Sequence, residues 1–311
     1  MLTRTGRSFW ECTSAMQHGI RKGDYEVAGY AFWELLPQYT PYLRKRLLVI
    51  SAEDCFGVIT KEILNLCETG TEEALTQALS LMCLCKKNRD ADYFVCNLMY
   101  SPAPSGDTKE MLSQQLHTAI RRMNVGEAGR LSAELFQKNR KVFWQMLKET
   151  TEAFYPYLTD EIAALCESNE KVSKPSEETI FVAKAIVLMW TAREPKEGVL
   201  GWEGMKFDRL LEADEIPVIK PAADCRKLGP KELFPDWAYN WHTTYGKYKL
   251  RRDAVHAITN DQRILTPLEE NLFDDCTWNR DINACLQKWN PNKYPTPFND
   301  GKRKAEEKYG G

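Results

Sequence analysis

No run of about eighteen consecutive apolar residues occurs in the 311-residue sequence, and a helix needs roughly that many to cross a bilayer. The expectation is a chain that spans no membrane. The phosphate-cradling pattern G-x-x-x-x-G-K-[ST] is missing, and so is G-x-G-x-x-G. Without a glycine loop presenting backbone N–H groups, nucleotide hydrolysis by this chain alone is not expected. H-E-x-x-H and G-x-S-x-G are missing too, which removes the commonest zinc-protease and hydrolase signatures. Histidine is scarce: His18, His117, His242 and His256 are scattered with no paired spacing. An excess of one charge is also lacking, with 42 Lys and Arg against 44 Asp and Glu, a formal net charge of −2. That balance argues against a surface coated with DNA-binding charge and leaves local basic patches open.

Ten cysteines are present. Cys12, Cys67, Cys83, Cys85, Cys96 and Cys166 fall inside apolar helical stretches, and no secretory-type apolar segment opens the sequence. They are expected to be free thiols packed as small hydrophobes in a reducing, cytoplasmic compartment. Cys83 and Cys85 point about 200° apart on a helix, so they are not expected to share a tetrahedral metal. Neither a metal nor a cofactor is expected.

Residues 1–195 read as helices joined by short loops. Helices are expected over residues 9–22, closed by Gly23, and 25–36, capped by Asp24 and stopped by Pro37. Further helices are expected over 58–68, 71–87 (capped by Thr71) and 92–100. After a loop at 101–106, a capping box at Asp107-Thr108-Lys109-Glu110 starts the next helix, which closes near Arg122. A long helical region over 126–154 follows, then helices at 159–170 and 176–193. No stretch before Arg193 alternates as a strand does. The fold class is therefore all-α, a helical bundle or stacked array.

The stretch over residues 39–57 organises this region. Thr40 is read as an N-cap with Pro41 at the first helical position. Leu43, Leu47 and Ile50 form one apolar stripe. Arg44, Lys45 and Arg46 are consecutive, so they cannot all face one way. Glu53 and Asp54 sit near the negative end of this helix, where carboxylates are unfavourable. Two explanations stand: Ser51 begins a new turn as a capping box, or a cation, Arg46 being the candidate, pairs with Glu53 and Asp54.

From Pro195 onward lie nine of the fifteen prolines and five of the nine tryptophans. Residues 196–311 are expected to form a loop-rich lobe or a wrapping arm with one or two helices. Within it, residues 234–252 alternate aromatic and hydrogen-bonding side chains before Lys247, Lys249, Arg251 and Arg252. Aromatic platforms beside cations suit single-stranded nucleic acid. The alternative is that the aromatics pin this segment to the helical core while the cations stay solvated.

Three segments carry a resemblance. Leu43-Arg44-Lys45-Arg46-Leu47-Leu48-Val49-Ile50-Ser51-Ala52-Glu53-Asp54 resembles the R-R-L-x-x-I-A-S-E-D motif of clamp-loader-like AAA+ ATPases, the replication-associated recombination ATPases of the Rar/Mgs and Werner-helicase-interacting group. Ser14-Ala15-Met16-Gln17-His18-Gly19-Ile20-Arg21-Lys22-Gly23-Asp24 is similar to their S-A-x-x-K-S-x-R-G-S-D. Residues 74–88 are similar to their A-x-A-x-x-Y-L-A-x-A-x-K-S-N helix. The resemblance covers about residues 10–100 of the family's C-terminal region; no ATPase or lid domain corresponds to anything in these residues, and Cys55-Phe56 displaces the glycine that follows Glu-Asp.

That region is the helical, oligomerising collar of the family. The resemblance implies a collar-like, non-enzymatic homo-oligomer associated with DNA replication, recombination or repair. DNA, single-strand-binding protein or a separate ATPase are the partners it implies. Arg44, Arg46, Lys247, Lys249, Arg251 and Arg252 are the candidate phosphate contacts. The alternatives are an assembly module without direct DNA contact, and an enzyme whose site gathers around His242 or His256.

Overall fold

The computed structural model describes residues 1–55, 60–85, 87, 89–97, 99, 105–122, 124–172, 175–191, 234–235 and 238–239. Among these the fold is all-α. Eleven helices follow in order: α1 (Phe9–Lys22), α2 (Tyr25–Leu35), α3 (Thr40–Asp54), α4 (Thr60–Thr69), α5 (Glu72–Leu84), α6 (Asp90–Asn97), α7 (Lys109–Arg122), α8 (Val125–Lys138), α9 (Arg140–Phe154), α10 (Thr159–Lys171) and α11 (Pro175–Thr191). A 3-10 turn, Pro156–Leu158, links α9 to α10. Extended pairing among the described residues is limited to two isolated bridges, Leu2 with Ser8 and Cys55 with Lys87.

The α1–α2 hairpin is the closest packing in the fold. Gly23 adopts φ +69°, a left-handed conformation that glycine enters without a Cβ clash, and closes α1. The Asp24 side chain then accepts from the Val27 amide to start α2. A Cβ built on Gly19 would lie 2.7 Å from the Ala28 amide nitrogen and 2.9 Å from its Cα, so the two backbones touch there.

Several boundaries differ from expectation for local reasons. Thr40 is already helical, Tyr39 stands at the cap position, and the Thr40 hydroxyl donates to the Pro37 carbonyl instead of capping α3. Ser51 starts no new turn: its hydroxyl donates to the Leu48 carbonyl and α3 runs unbroken to Asp54. Before α7 the cap is Thr108, which accepts from the Met111 amide, while Asp107 accepts from Gln115. The region expected as one helix over 126–154 is two. Asn139 ends α8 in an extended conformation and caps α9 by accepting from the Val142 amide.

The core runs continuously through the helices. α11 lies against α3, α6, α7, α8 and α10. Its ten residues from Phe181 to Trp190 are all buried, Lys184 included. A helix buried on all sides needs no polar face, so this one shows apolar character all round instead of the single stripe expected.

The expected C-terminal lobe, 196–311, lies mostly outside the described residues. Phe234, Ala238 and Tyr239 are buried. Phe234 packs on Tyr30 of α2, with ring centroids 5.9 Å apart, and the Arg7 guanidinium lies over its ring. Ser14 of α1 donates to the Ala238 carbonyl at 2.8 Å. At these positions the aromatic segment is fixed to α1 and α2. Among the described residues no helix is long and apolar enough to cross a membrane.

Candidate functional site

Residues of two of the resembling segments, 14–24 and 43–54, meet Arg89 and Asp92, just past the third, between α1, α3 and the start of α6. The Arg21 Nε donates to Asp54 Oδ1 at 2.5 Å, and its Nη2 to Glu53 Oε1 at 2.8 Å. The Gln17 amide nitrogen donates to both carboxylates, at 3.0 and 2.9 Å. The Gln17 oxygen accepts from Arg46 at 2.5 Å. Arg89, just before α6, places its Nε 3.5 Å from Asp54 Oδ1 and also pairs with Asp92. Three guanidiniums and three carboxylates thus neutralise one another, with one amide bridging them.

The site follows from helix spacing. Gln17 and Arg21 are four apart, so they share one face of α1. Glu53 and Asp54 end α3, where the backbone gives no stabilisation to negative charge. Burial pushes the Asp54 carboxyl up, but the Arg21 and Arg89 guanidiniums outweigh it and hold it below its ordinary value. Burial, reinforced by Asp54, leaves the Glu53 carboxyl above its own ordinary value. Arg46 lies farther from Glu53, at 3.7 Å, and a comparable distance from Glu177 of α11. The principal partner of the two carboxylates is therefore Arg21, whereas the sequence pointed to Arg46.

The consecutive cations of α3 take different directions. The Arg44 Nε donates to the Cys67 carbonyl at 2.5 Å and its Nη2 to the Glu68 carbonyl at 3.1 Å. It therefore satisfies two orphan carbonyls at the end of α4 and opposes that helix's negative pole. Lys45 is exposed. Lys247, Lys249, Arg251 and Arg252 lie outside the described residues, as do His242 and His256.

Several grooves among the described residues have room for a small ligand, two of them as follows. One, of about 400 Å3, is lined by Ser113, His117, Met146, Glu149, Thr150 and Phe154, among others. Its hydroxyls are committed to their own helices, Ser113 to the Lys109 carbonyl and Thr150 to the Met146 carbonyl. His117 stacks on Phe154, and burial followed by the charge of Arg121 lowers its pKa. The other, of about 530 Å3, runs along α9 beside Trp144 and Lys148. There Arg140 grips Glu178 through both guanidinium nitrogens, at 2.9 and 2.6 Å. Among the described residues no three His, Cys, Asp or Glu side chains come together as a metal-ligand set.

Gln17, Arg21 and Arg89 escaped the sequence reading as site residues. The i, i+4 placement of Gln17 and Arg21 on α1 was the available signal, but pairing it with Glu53 and Asp54 needs the α1–α3 packing. No family model, curated protein or solved structure matches the chain.

Proposed function

We propose that this chain is a non-catalytic helical assembly module associated with DNA replication, recombination or repair, reaching DNA through protein partners. One observation carries the choice of partner-mediated contact. The two α3 cations named as candidate phosphate contacts are engaged inside the fold, Arg44 on the α4 carbonyls and Arg46 on Gln17, while Lys45 between them is exposed. A guanidinium already holding carbonyls and carboxylates has little left to offer a phosphate.

Two further features support the reading. Two of the resembling segments, 14–24 and 43–54, meet in a buried charge cluster that ties α1 to α3, the kind of lock a collar requires. Large apolar side chains also stand on the surface: Trp10 is 55% exposed and Tyr157 59%. Such residues are enriched where proteins meet.

The deciding experiment is light scattering on the full chain, with and without single-stranded DNA, alongside fluorescence anisotropy at low salt. The expected result is a mass that is a multiple of 35.9 kDa, with no anisotropy change from DNA alone. A strictly single protomer removes the collar element of the proposal. Direct DNA binding would favour the second reading, in which Lys247, Lys249, Arg251 and Arg252 contact phosphates beside the anchored Tyr239. Four such contacts on a single strand give a log–log salt slope of about −3.

A further inference from the structure

Cys55 and Cys85 lie thirty residues apart in sequence and meet in space. Cys55 follows the last residue of α3, and Cys85 stands at the C-cap of α5. The bridge between Cys55 and Lys87 aligns the two chain segments antiparallel and brings the Cys55 thiol within hydrogen-bonding reach of the Cys85 sulfur, whose own thiol donates to the Met82 carbonyl at 3.3 Å. The Lys87 ammonium is 3.8 Å from Cys85 Sγ and also donates to the Met82, Cys83 and Cys85 carbonyls. From the other side, Lys184 of α11 donates to the Cys55 carbonyl at 2.6 Å. Cys55 is fully buried, whereas Cys85 is partly exposed beside the half-exposed Leu84.

We propose that Cys85 is a peroxide-reactive thiol and Cys55 its resolving partner, so that oxidation staples the end of α3 to the end of α5. The roles follow from placement. Cys85, the partly exposed residue of the two and flanked by an ammonium, meets the oxidant; the fully buried Cys55 can reach only its neighbour. The Cys85 thiolate attacks one peroxide oxygen, an S–O bond forms as the O–O bond breaks, and the hydroxide released takes a proton from solvent. The Cys55 sulfur then attacks the sulfenic sulfur. The S–S bond forms as the S–O bond breaks, and the Cys55 proton leaves with the hydroxide as water. Two electrons from the dithiol reduce one peroxide to two waters. The electrostatics agree: the Cys55 hydrogen bond, against opposing burial and with help from Lys87 and Lys184, lowers the Cys85 pKa to about 7. Hydrogen bonding to Cys85 and burial hold the Cys55 thiol well above its usual value. At Cys12 and Cys67 burial outweighs the nearby Arg7 and Arg44 charges, and both thiols are pushed up to about 12. Thiolate character and access together select reactive cysteines.

This inference does not depend on the assembly reading. Its test is peptide mapping of the folded, reduced chain at neutral pH. With limiting iodoacetamide, Cys85 should be alkylated about three-fold faster than a thiol in an unstructured peptide, its larger thiolate fraction outweighing its lower intrinsic nucleophilicity, and ahead of Cys12, Cys67 and Cys166. With hydrogen peroxide, a Cys55–Cys85 disulfide peptide should appear first. Lys87→Met should slow the Cys85 reaction, and Cys55→Ser should leave a sulfenic acid at Cys85 that dimedone traps. The Lys87→Met and Cys55→Ser results count only for variants with native circular dichroism, and the wild-type mapping decides by itself. Alkylation of Cys85 no faster than the peptide thiol, or a first disulfide joining any other pair, overturns the proposal.

Discussion

Arg21 of α1 and Asp54 of α3 are joined by a 2.5 Å contact between guanidinium and carboxylate, and the Asp54 side chain is wholly buried. Removing one partner strands the other charge in the core, which costs on the order of 3–5 kcal/mol. Arg21→Met should lower the urea midpoint by that equivalent. Pairing it with Asp54→Leu should recover most of the loss, because two apolar groups need no counter-charge. Arg46→Ala, whose contact with Glu53 is longer and partly exposed, should cost about 1 kcal/mol. Equal losses for Arg21→Met and Arg46→Ala would place the lock elsewhere.

Acid should weaken the same lock. The folded Asp54 carboxyl lies below its ordinary value, so its stabilisation is complete above the unfolded carboxylate pKa of about 3.9 and is lost as pH falls through the lower folded value. Glu53, raised by burial and by Asp54, works in the opposite sense, so the readout must isolate Asp54. The stability difference between wild type and Asp54→Asn should shrink as pH falls from neutrality into the acid range. Parallel curves across that range would mean that Asp54 is not held ionised by Arg21.

Gly19 faces the Ala28 backbone at less than van der Waals distance for any Cβ. Relief would require sliding α1 along α2, so Gly19→Ala should cost about 1–3 kcal/mol by chemical denaturation despite alanine's better helix propensity. A stabilised variant would show the hairpin to be looser than this.

The two threonines at helix starts should behave differently. Thr71 accepts from the Ala74 amide as the α5 cap, so Thr71→Ala should cost about 1 kcal/mol. Thr40 caps nothing and is partly exposed; Thr40→Ala should change the thermal midpoint by less than about 0.5 kcal/mol equivalent.

Arg44 offers a test that separates fold from DNA contact. Arg44→Ala removes two hydrogen bonds to α4 carbonyls and should lower stability by about 1–2 kcal/mol. DNA anisotropy should not change. A loss of DNA binding without a loss of stability would return Arg44 to the phosphate-contacting role that the sequence suggested.

Local chemistry made α1 legible from end to end. Gly23 and Asp24 stop one helix and start the next through interactions spanning only a few residues, and Thr71 starts α5 in the same local way. The break at Asn139 was also local, but good helix formers on both sides hid it. Charge was a different matter. The pair Glu53-Asp54 announced that something had to offset it, and the sequence left both a capping box at Ser51 and a partner cation open. Arg21 is 32 residues away from Glu53 along the chain, so only the packing of α1 against α3 could choose it. Packing likewise buried Lys184, spent Arg44 on another helix's carbonyls and brought Cys55 against Cys85. The sequence by itself determined that helices form and where most of them begin and end, because caps and periodicity act over one or two turns. The tertiary structure alone decided which charges and thiols face each other, because that depends on how distant faces meet.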